Sequence, residues 1–313
     1  TQFPYEGTWL NYPGFRFSST HRFGGERRLG GENVASDRGA TDSAGSSQIL
    51  VNPAAEQSAQ PRRYVFEATV TGLDGRTVTA TREVLGLPAF ALGLKHERVW
   101  QGQRQTPVSV VVPAADGKLL GGHPITVKLF KREWHAQLRT GDFSSGVAKY
   151  VTETVDALVH EQVIDSRSDG PVELMLPTDG RGVYVVDLEA RDGLGRVQSI
   201  RGDFFVTGED AVTWSRPPSR VFDMTSDKRR YRPGETARLV LQSPYQTGRA
   251  LIVTEAPDAN RYQWVPVVGG TAVIDVPISA HHAPRLSVHG VLMRGRIANQ
   301  RLGNGLDLGR PVT

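Results

Sequence analysis

From Tyr64 the chain alternates. Tyr64, Phe66, Ala68 and Val70 fall on one parity, and Val65, Glu67, Thr69 and Thr71 on the other. The pattern returns with Tyr184, Val186, Leu188 and Ala190 set against Val185, Asp187, Glu189 and Arg191. A period of two is that of a β-strand with one buried and one mostly wet face. Each run ends in a glycine-bearing turn, TGLDGR or RDGLGR, and a second strand-like run follows at 77–84 and at 197–206. This predicts a β-hairpin written twice. YVFEATVTGLDGR and YVVDLEARDGLGR align without a gap, which predicts homologous units in tandem.

The unit that ends in the second hairpin reads nearly whole. Residues 106–134 read as strand, turn, strand, with Val108, Val110 and Val112 sharing one face and Ile125, Val127 and Leu129 another. Residues 149–165 and 170–177 add two more strands. Several short strands at regular spacing, with no 3.6-residue period, predict an antiparallel sandwich. A third unit follows Pro217-Pro218, which reads as a linker. In SDKRRYRPGETARLVLQSPYQTGRALIVTE, Pro233-Gly234 fits the centre of a type II turn. Ala237, Leu239 and Leu241 then point one way and Arg238, Val240 and Gln242 the other. QWVPVV, TAVIDVPI and RLSVHGVLMRG supply further strands. Residues 1–61 carry little strand signal beyond QILV at 48–51, and the opening strands of that first unit are expected upstream of residue 1. The expected organisation is 1–88 (incomplete at its N-terminus), 89–208 and 209–313.

Composition narrows the chemistry. Among 313 residues there is no cysteine, which excludes disulfides, thiolate metal sites and cysteine nucleophiles within them. Gly (34) and Pro (19) fit a turn-rich β chain. The formal charge is +4, but the basic residues interleave with 33 acidic ones. The densest basic run, SDKRRYR at 226–232, reads as a solvated strand edge rather than a nucleic-acid surface. No stretch reaches the ~20 apolar residues of a membrane helix. TQFPYEGTWL lacks the basic start and apolar centre of a signal peptide, so the chain reads as a mature piece of something longer.

The candidate constellations lead to no reaction centre. HEQVI at 160–164 begins like a zinc-protease motif but has Ile164 where the second His belongs, and it sits in strand-like sequence. Asp156, His160 and Asp165 have no nucleophile context. His281-His282 sits in the polar stretch SAHHAP and reads as exposed loop. RGD at 201–203 runs straight into FFV and reads as a strand entrance. The paired glycines at 24–25 and 30–31 read as loop. Trp9, Tyr12, Phe15 and Phe17 read as a cover for a domain core or a neighbouring domain. No catalytic, cofactor-binding or metal residue is expected, and no enzyme activity.

SDKRRYRPGETARLVLQSPYQTGRALIVTE, then VPI, then RLSVHGVLMRGR resemble the alpha-2-macroglobulin family, in its bacterial branch, at the macroglobulin-like domain that opens the bait-region segment. GKLLGGHPITVKLFKREW, GVYVVDLEARDGLGRVQS and FFVTG resemble the domain that precedes it. The resemblance covers most of 62–300 and is weak before residue 60. It implies tandem fibronectin-type-III-like antiparallel sandwiches, in agreement with the all-β reading. It also implies a non-catalytic scaffold role in a broad protease inhibitor, which traps proteases after they cut a bait. The partners implied are target proteases and other envelope proteins, with no nucleic acid. The implied location is periplasmic or extracytoplasmic, with any inner-membrane anchor outside these residues. A thioester, common in the family, needs a cysteine that these residues lack. The alternative is an envelope interaction module without inhibitory activity. Residues 294–313, with Arg294, Arg296 and Arg301, read first as a linker into a following domain and second as a protease-cleavable segment.

Overall fold

The computed structural model describes residues 2–4, 12–20, 23, 33, 35–48, 62–102, 104–138, 150–214, 222–295, 297–298 and 310–311. Its strands, in chain order, are β1 (Gln2–Pro4), β2 (Arg62–Thr71), β3 (Thr77–Gly86), β4 (Gly93–Lys95), β5 (Val99–Gln101), β6 (Gln105–Val111), β7 (Pro124–Leu138), β8 (Tyr150–Asp165), β9 (Val172–Pro177) and β10 (Gly182–Arg191). They continue with β11 (Val197–Thr207), β12 (Asp223–Ser226), β13 (Thr236–Gln242), β14 (Thr247–Thr254), β15 (Arg261–Val268), β16 (Thr271–Pro277), β17 (Val288–Met293), β18 (Ile297–Ala298) and β19 (Arg310–Pro311). The architecture is all-β, as the alternation and the resemblance both imply.

The second unit is a sandwich of two sheets, β4–β6–β9 and β5–β11–β10–β7–β8. Its core is the set of positions on the expected parities. Val108, Val110 and Val112 meet Ile125, Val127 and Leu129 together with Tyr184, Val186 and Leu188. In the third unit the strand order is β12–β13–β16–β15–β14–β17. β15 and β16 share a single paired position, Val268 with Thr271. The sheet therefore folds over at that hairpin. Leu239, Leu241 and Ile274 on one leaf pack with Ile252, Val265 and Val267 on the other. The strand orders superpose: β12–β13–β16 takes the place of β4–β6–β9, and β15–β14–β17 that of β8–β7–β10. Gly234 has φ 92°, as a type II turn after Pro233 requires.

The repeated hairpins close identically. The Gly72 N–H donates to the Arg76 carbonyl and the Gly75 N–H to the Gly72 carbonyl; Asp192, Gly195 and Arg196 make the same two bonds. Gly75 and Gly195 both have φ 75°, a left-handed conformation that glycine adopts without strain. The tyrosine that opens the repeat also has a task. Tyr184 is the third residue of β10 and its hydroxyl donates back to the carbonyls of Asp179 and Gly180, a tyrosine corner of the kind found in Ig-like sandwiches.

Two expectations about these hairpins need correction. The apolar face of the first copy is not covered by any described strand, so Phe66, Val70, Val78 and Val84 are exposed. In the second copy the face expected to be wet is buried over its first part: Val185 and Asp187 are buried with Val183, whereas Glu189 is half-buried and Arg191 exposed. The reason is that other segments of the chain cover it.

Burial pushes the Tyr184 phenol up to about 12. Its folded value lies above the ordinary 10.0, so the associated stability is present below pH 10 and is lost as pH rises toward 12. Tyr184→Phe is expected to cost about 1 kcal/mol at neutral pH, the net value of one hydrogen bond. The cost stays small because the Asp179 carbonyl keeps a second donor, Lys131 Nζ, at 2.9 Å. Urea denaturation of both forms at pH 7 and pH 11 checks both statements: the difference between them should shrink at the higher pH.

Candidate functional site

The cover over β10 is a joint between the second and third sandwiches. Residues 12–20 run across one side of the second sandwich. The Arg16 and Leu94 backbones bond to each other, and the Thr20 N–H donates to the Arg201 carbonyl. Those contacts tie the segment first to β4 and then to β11. Phe17 packs on Ala91 and Val111, outside the smaller sheet. Gly93 makes room, since a Cβ there would come within 2.6 Å of the Phe17 ring. Phe15 and Phe17 thus cover a sandwich, as their composition suggested; Trp9 lies outside the described residues.

Phe23 leads into the joint itself. It is fully buried with Trp134, Val183, Phe205, Val212, Trp214 and Val240. Trp214 is the hub. Its ring centroid lies 5.4 Å from that of Trp134, 5.5 Å from Phe205 and 6.1 Å from Phe23. Its indole N–H donates to the Gly270 carbonyl at 2.8 Å, at the fold-over hairpin of the third sandwich. The Val212 N–H donates to the Gly269 carbonyl, and Gln246 Nε2 to the Val212 carbonyl. Gly270 has φ 77°, and a Cβ there would collide with the Val212 carbonyl. Val240, on the outward parity of β13, is the contribution of the third sandwich.

Charged groups lock the edges of this apolar centre. Arg132 makes a two-pronged contact with Asp156, Nε to Oδ1 at 2.7 Å and Nη2 to Oδ2 at 2.8 Å. Its Nη1 reaches the Phe23 carbonyl at 3.4 Å. From the other side the Phe23 N–H donates to Asp203 Oδ2 at 2.7 Å. Arg201 extends the chain of charges, with Nε 2.8 Å from Asp187 Oδ2 and Nη1 3.8 Å from Asp156 Oδ2. Burial alone would lower the Arg132 guanidinium, and the Asp156 carboxylate more than offsets it, so the net shift is up. Arg98 donates to the Ser226 carbonyl across the joint. Burial, and then the nearby Arg229, lower it. Arg181 donates to the carbonyls of Asp210 and Val268, bridging the linker and the third sandwich.

The sequence candidates fall as follows. RGD is not at a strand entrance: Arg201, Gly202 and Asp203 lie inside β11, with Gly202 and Asp203 buried. A Cβ on Gly202 would meet His96 and Leu94. Asp156 belongs to the joint, whereas His160 pairs across from Leu129 and Asp165 across from Pro124, so the three do not converge. His282 is not exposed loop. It is buried in a 3-10 turn, where its Nδ1 accepts from the Ser279 N–H. SDKRRYR leaves β12 as a loop beside a recess of about 780 Å³ floored by Leu239, Val276 and Ile278. Arg294 stacks on Tyr245 with 4.6 Å between guanidinium and ring centroid. Arg296, Arg301 and Pro217-Pro218 lie outside the described residues. Among the described residues no group of three or more His, Asp, Glu or Cys could hold a metal ion.

The joint itself went unread in the sequence, although a signal was there. Val183, Tyr184, Val185 and Val186 are apolar on both parities, as are Phe204, Phe205 and Val206. A strand apolar on both faces is covered on both faces.

Comparison with known proteins places this geometry. A family model described as the alpha-2-macroglobulin bait region domain matches residues 222–304, which takes in the third sandwich's side of the joint. The alpha-2-macroglobulin homolog of Nostoc sp. is 25% identical over 278 residues, covering 88% of this chain and 14% of its own length. That of Deinococcus radiodurans is 27% identical over 245 residues, covering 76% of this chain and 22% of its own. Among solved structures, the native conformation of Escherichia coli alpha-2-macroglobulin matches 90% of this chain and 20% of its own, with 15% identity and a TM-score of 0.49. The chain thus spans less than a quarter of the length of the curated relatives it matches. The sandwiches, the repeat and the sequence matches agree: this chain is similar to bacterial alpha-2-macroglobulins, and residues 222–304 match the bait region domain of that family.

Proposed function

We propose that the chain is part of a broad-spectrum protease inhibitor with a periplasmic or otherwise extracytoplasmic location. Residues 1–88, 89–208 and 209–313 are successive macroglobulin-like modules in this reading, and none carries a reaction centre. The joint around Trp214 serves as a hinge in the wall of a protease trap. The observation that carries the reading is the position of the bait-region match. It begins at residue 222, at the entry to the third sandwich, beside a joint made from several separated stretches of chain. A rigid joint at the root of a bait-bearing module lets a single cut downstream release whole sandwiches, because packed modules shift between discrete arrangements rather than deform.

Within this reading the cleavable segment lies in 294–313, with Arg294, Arg296 and Arg301 as its candidate sites. The full-length protein, mixed with a protease that cuts after arginine, should be cut at one discrete site, after one of these three. The bound protease should then lose activity on large protein substrates while keeping it on small peptides. Scattered cutting, or a discrete cut that leaves both activities unchanged, would overturn the inhibitor reading in favour of an envelope interaction module.

A further inference from the structure

The third sandwich is open on one side. Its sheet folds over at the β15–β16 hairpin, so β12 and β17, the two ends of the strand order, lie at the opposite side. Met224 and Ser226 of β12 and Val288 of β17 line the recess found there, whose volume of about 780 Å³ is that of an ordinary ligand pocket. Its floor is aliphatic. Leu239 and Val276 are buried members of the core, and Ile278, Leu286 and Val288 are half-buried around them. Sandwich interiors are close-packed, so an opening that reaches core side chains leaves apolar surface for a ligand to cover.

The mouth is basic. Lys228, Arg229 and Arg230 stand in the loop after β12 and Arg285 stands ahead of β17, all of them exposed, and no carboxylate is among the lining residues. Three of these cations come from the SDKRRYR run. Glu235 answers Lys228, with Nζ 3.1 Å from Oε1. Among the described residues no carboxylate pairs with Arg229, Arg230 or Arg285. The polar side chains of the wall are committed within the protein. The Ser226 hydroxyl donates to the Lys228 carbonyl, the Tyr231 hydroxyl donates to Asp227 Oδ1, and His282 Nδ1 accepts from the Ser279 N–H. The interior thus offers apolar contact, and the charge is concentrated at the entrance. A peptide strand brings backbone polar groups that are costly to bury unpaired. A hydrocarbon chain brings none.

We propose that this recess binds a long-chain fatty acid, its tail over Leu239, Val276 and Ile278 and its carboxylate among Arg229, Arg230 and Arg285. The aliphatic floor selects the chain and the three arginines select the anionic head. The proposal is independent of protease inhibition, and its test involves no protease.

The test is equilibrium dialysis of the full-length protein against saturated fatty acids from octanoate to palmitate, below their micellar concentrations. One saturable site per chain is expected, and each pair of added methylenes should tighten binding by about tenfold until the recess is filled. Dodecanol should bind about tenfold more weakly than dodecanoate, because it lacks the charge that the arginines answer. Arg229→Glu combined with Arg285→Glu alters only exposed positions. It should weaken dodecanoate by about tenfold or more and leave dodecanol unchanged. A palmitate carrying a diazirine, photolysed in place, should insert within residues 224–239 and 276–288. No saturable binding, equal binding of dodecanol and dodecanoate, or insertion elsewhere overturns the proposal. A double variant that loses both ligands alike also overturns it, because the arginines then serve the fold and not a head group. Displacement of dodecanoate by an acidic leucine-containing peptide at lower concentration overturns it by assigning the recess to a peptide.

Discussion

Trp214→Ala is expected to cost about 3–5 kcal/mol, the range for emptying a buried tryptophan site, and to uncouple the two sandwiches. The side chain contacts Phe23, Trp134 and Phe205 on one side and donates to the Gly270 carbonyl on the other. Its loss removes apolar contact and a buried hydrogen bond from the same place. Each sandwich keeps its own core, since neither Leu188 nor Ile274 touches the joint cluster. The effect therefore falls on coupling. A calorimetric transition shared by the two sandwiches should separate into two, the signature of domains that no longer unfold together. Trp264→Ala is the control. It removes the same kind of side chain from an exposed face and should change stability by less than about 1 kcal/mol. An unchanged thermogram for Trp214→Ala would mean that the joint does not couple the sandwiches.

How much of this was legible follows from what each residue had to satisfy. Ile125, Val127 and Leu129 needed only to face their own core, and alternation alone identified them. Tyr184, Gly195 and Arg196 act within a few residues of themselves, so their repetition as Tyr64, Gly75 and Arg76 made the repeated hairpin legible directly. The joint is different. Phe23, Trp134, Phe205, Trp214 and Val240 come from five separated stretches, and no local period relates them. Val240 shows the difficulty. Its parity, opposite to Ala237, Leu239 and Leu241, was legible, but nothing local says that this face meets a neighbouring module. RGD reads as a strand entrance because FFV follows it, and it lies inside β11 instead. Asp203 serves the joint by accepting from the Phe23 backbone, a partner 180 positions away in sequence. Alternation reports which residues share a face; it carries no information on what that face meets.

Asp156→Ala is expected to be the most damaging change to the charged side of the joint, at about 3–5 kcal/mol, the cost of leaving a buried charge without its partner. The Arg132 side chain is 5% exposed, and both of its bonds to a carboxylate go to Asp156. Arg201 would keep Asp187, so the loss concentrates on Arg132. The damage should spread to residues 12–23, because Arg132 also holds the Phe23 carbonyl. Limited proteolysis should then open that segment faster than the rest of the second sandwich. Arg132→Met combined with Asp156→Leu separates the two explanations available. Replacing a buried ion pair by apolar groups of similar volume is often neutral, so the double variant should recover most of the urea midpoint lost in the single one. It should not recover the protection of residues 12–23, since methionine cannot donate to the Phe23 carbonyl. A single variant within about 1 kcal/mol of the parent, the range of exposed pairs, would show that the contact is a surface pair in solution and that Phe23 is held by Asp203 and the aromatic cluster alone.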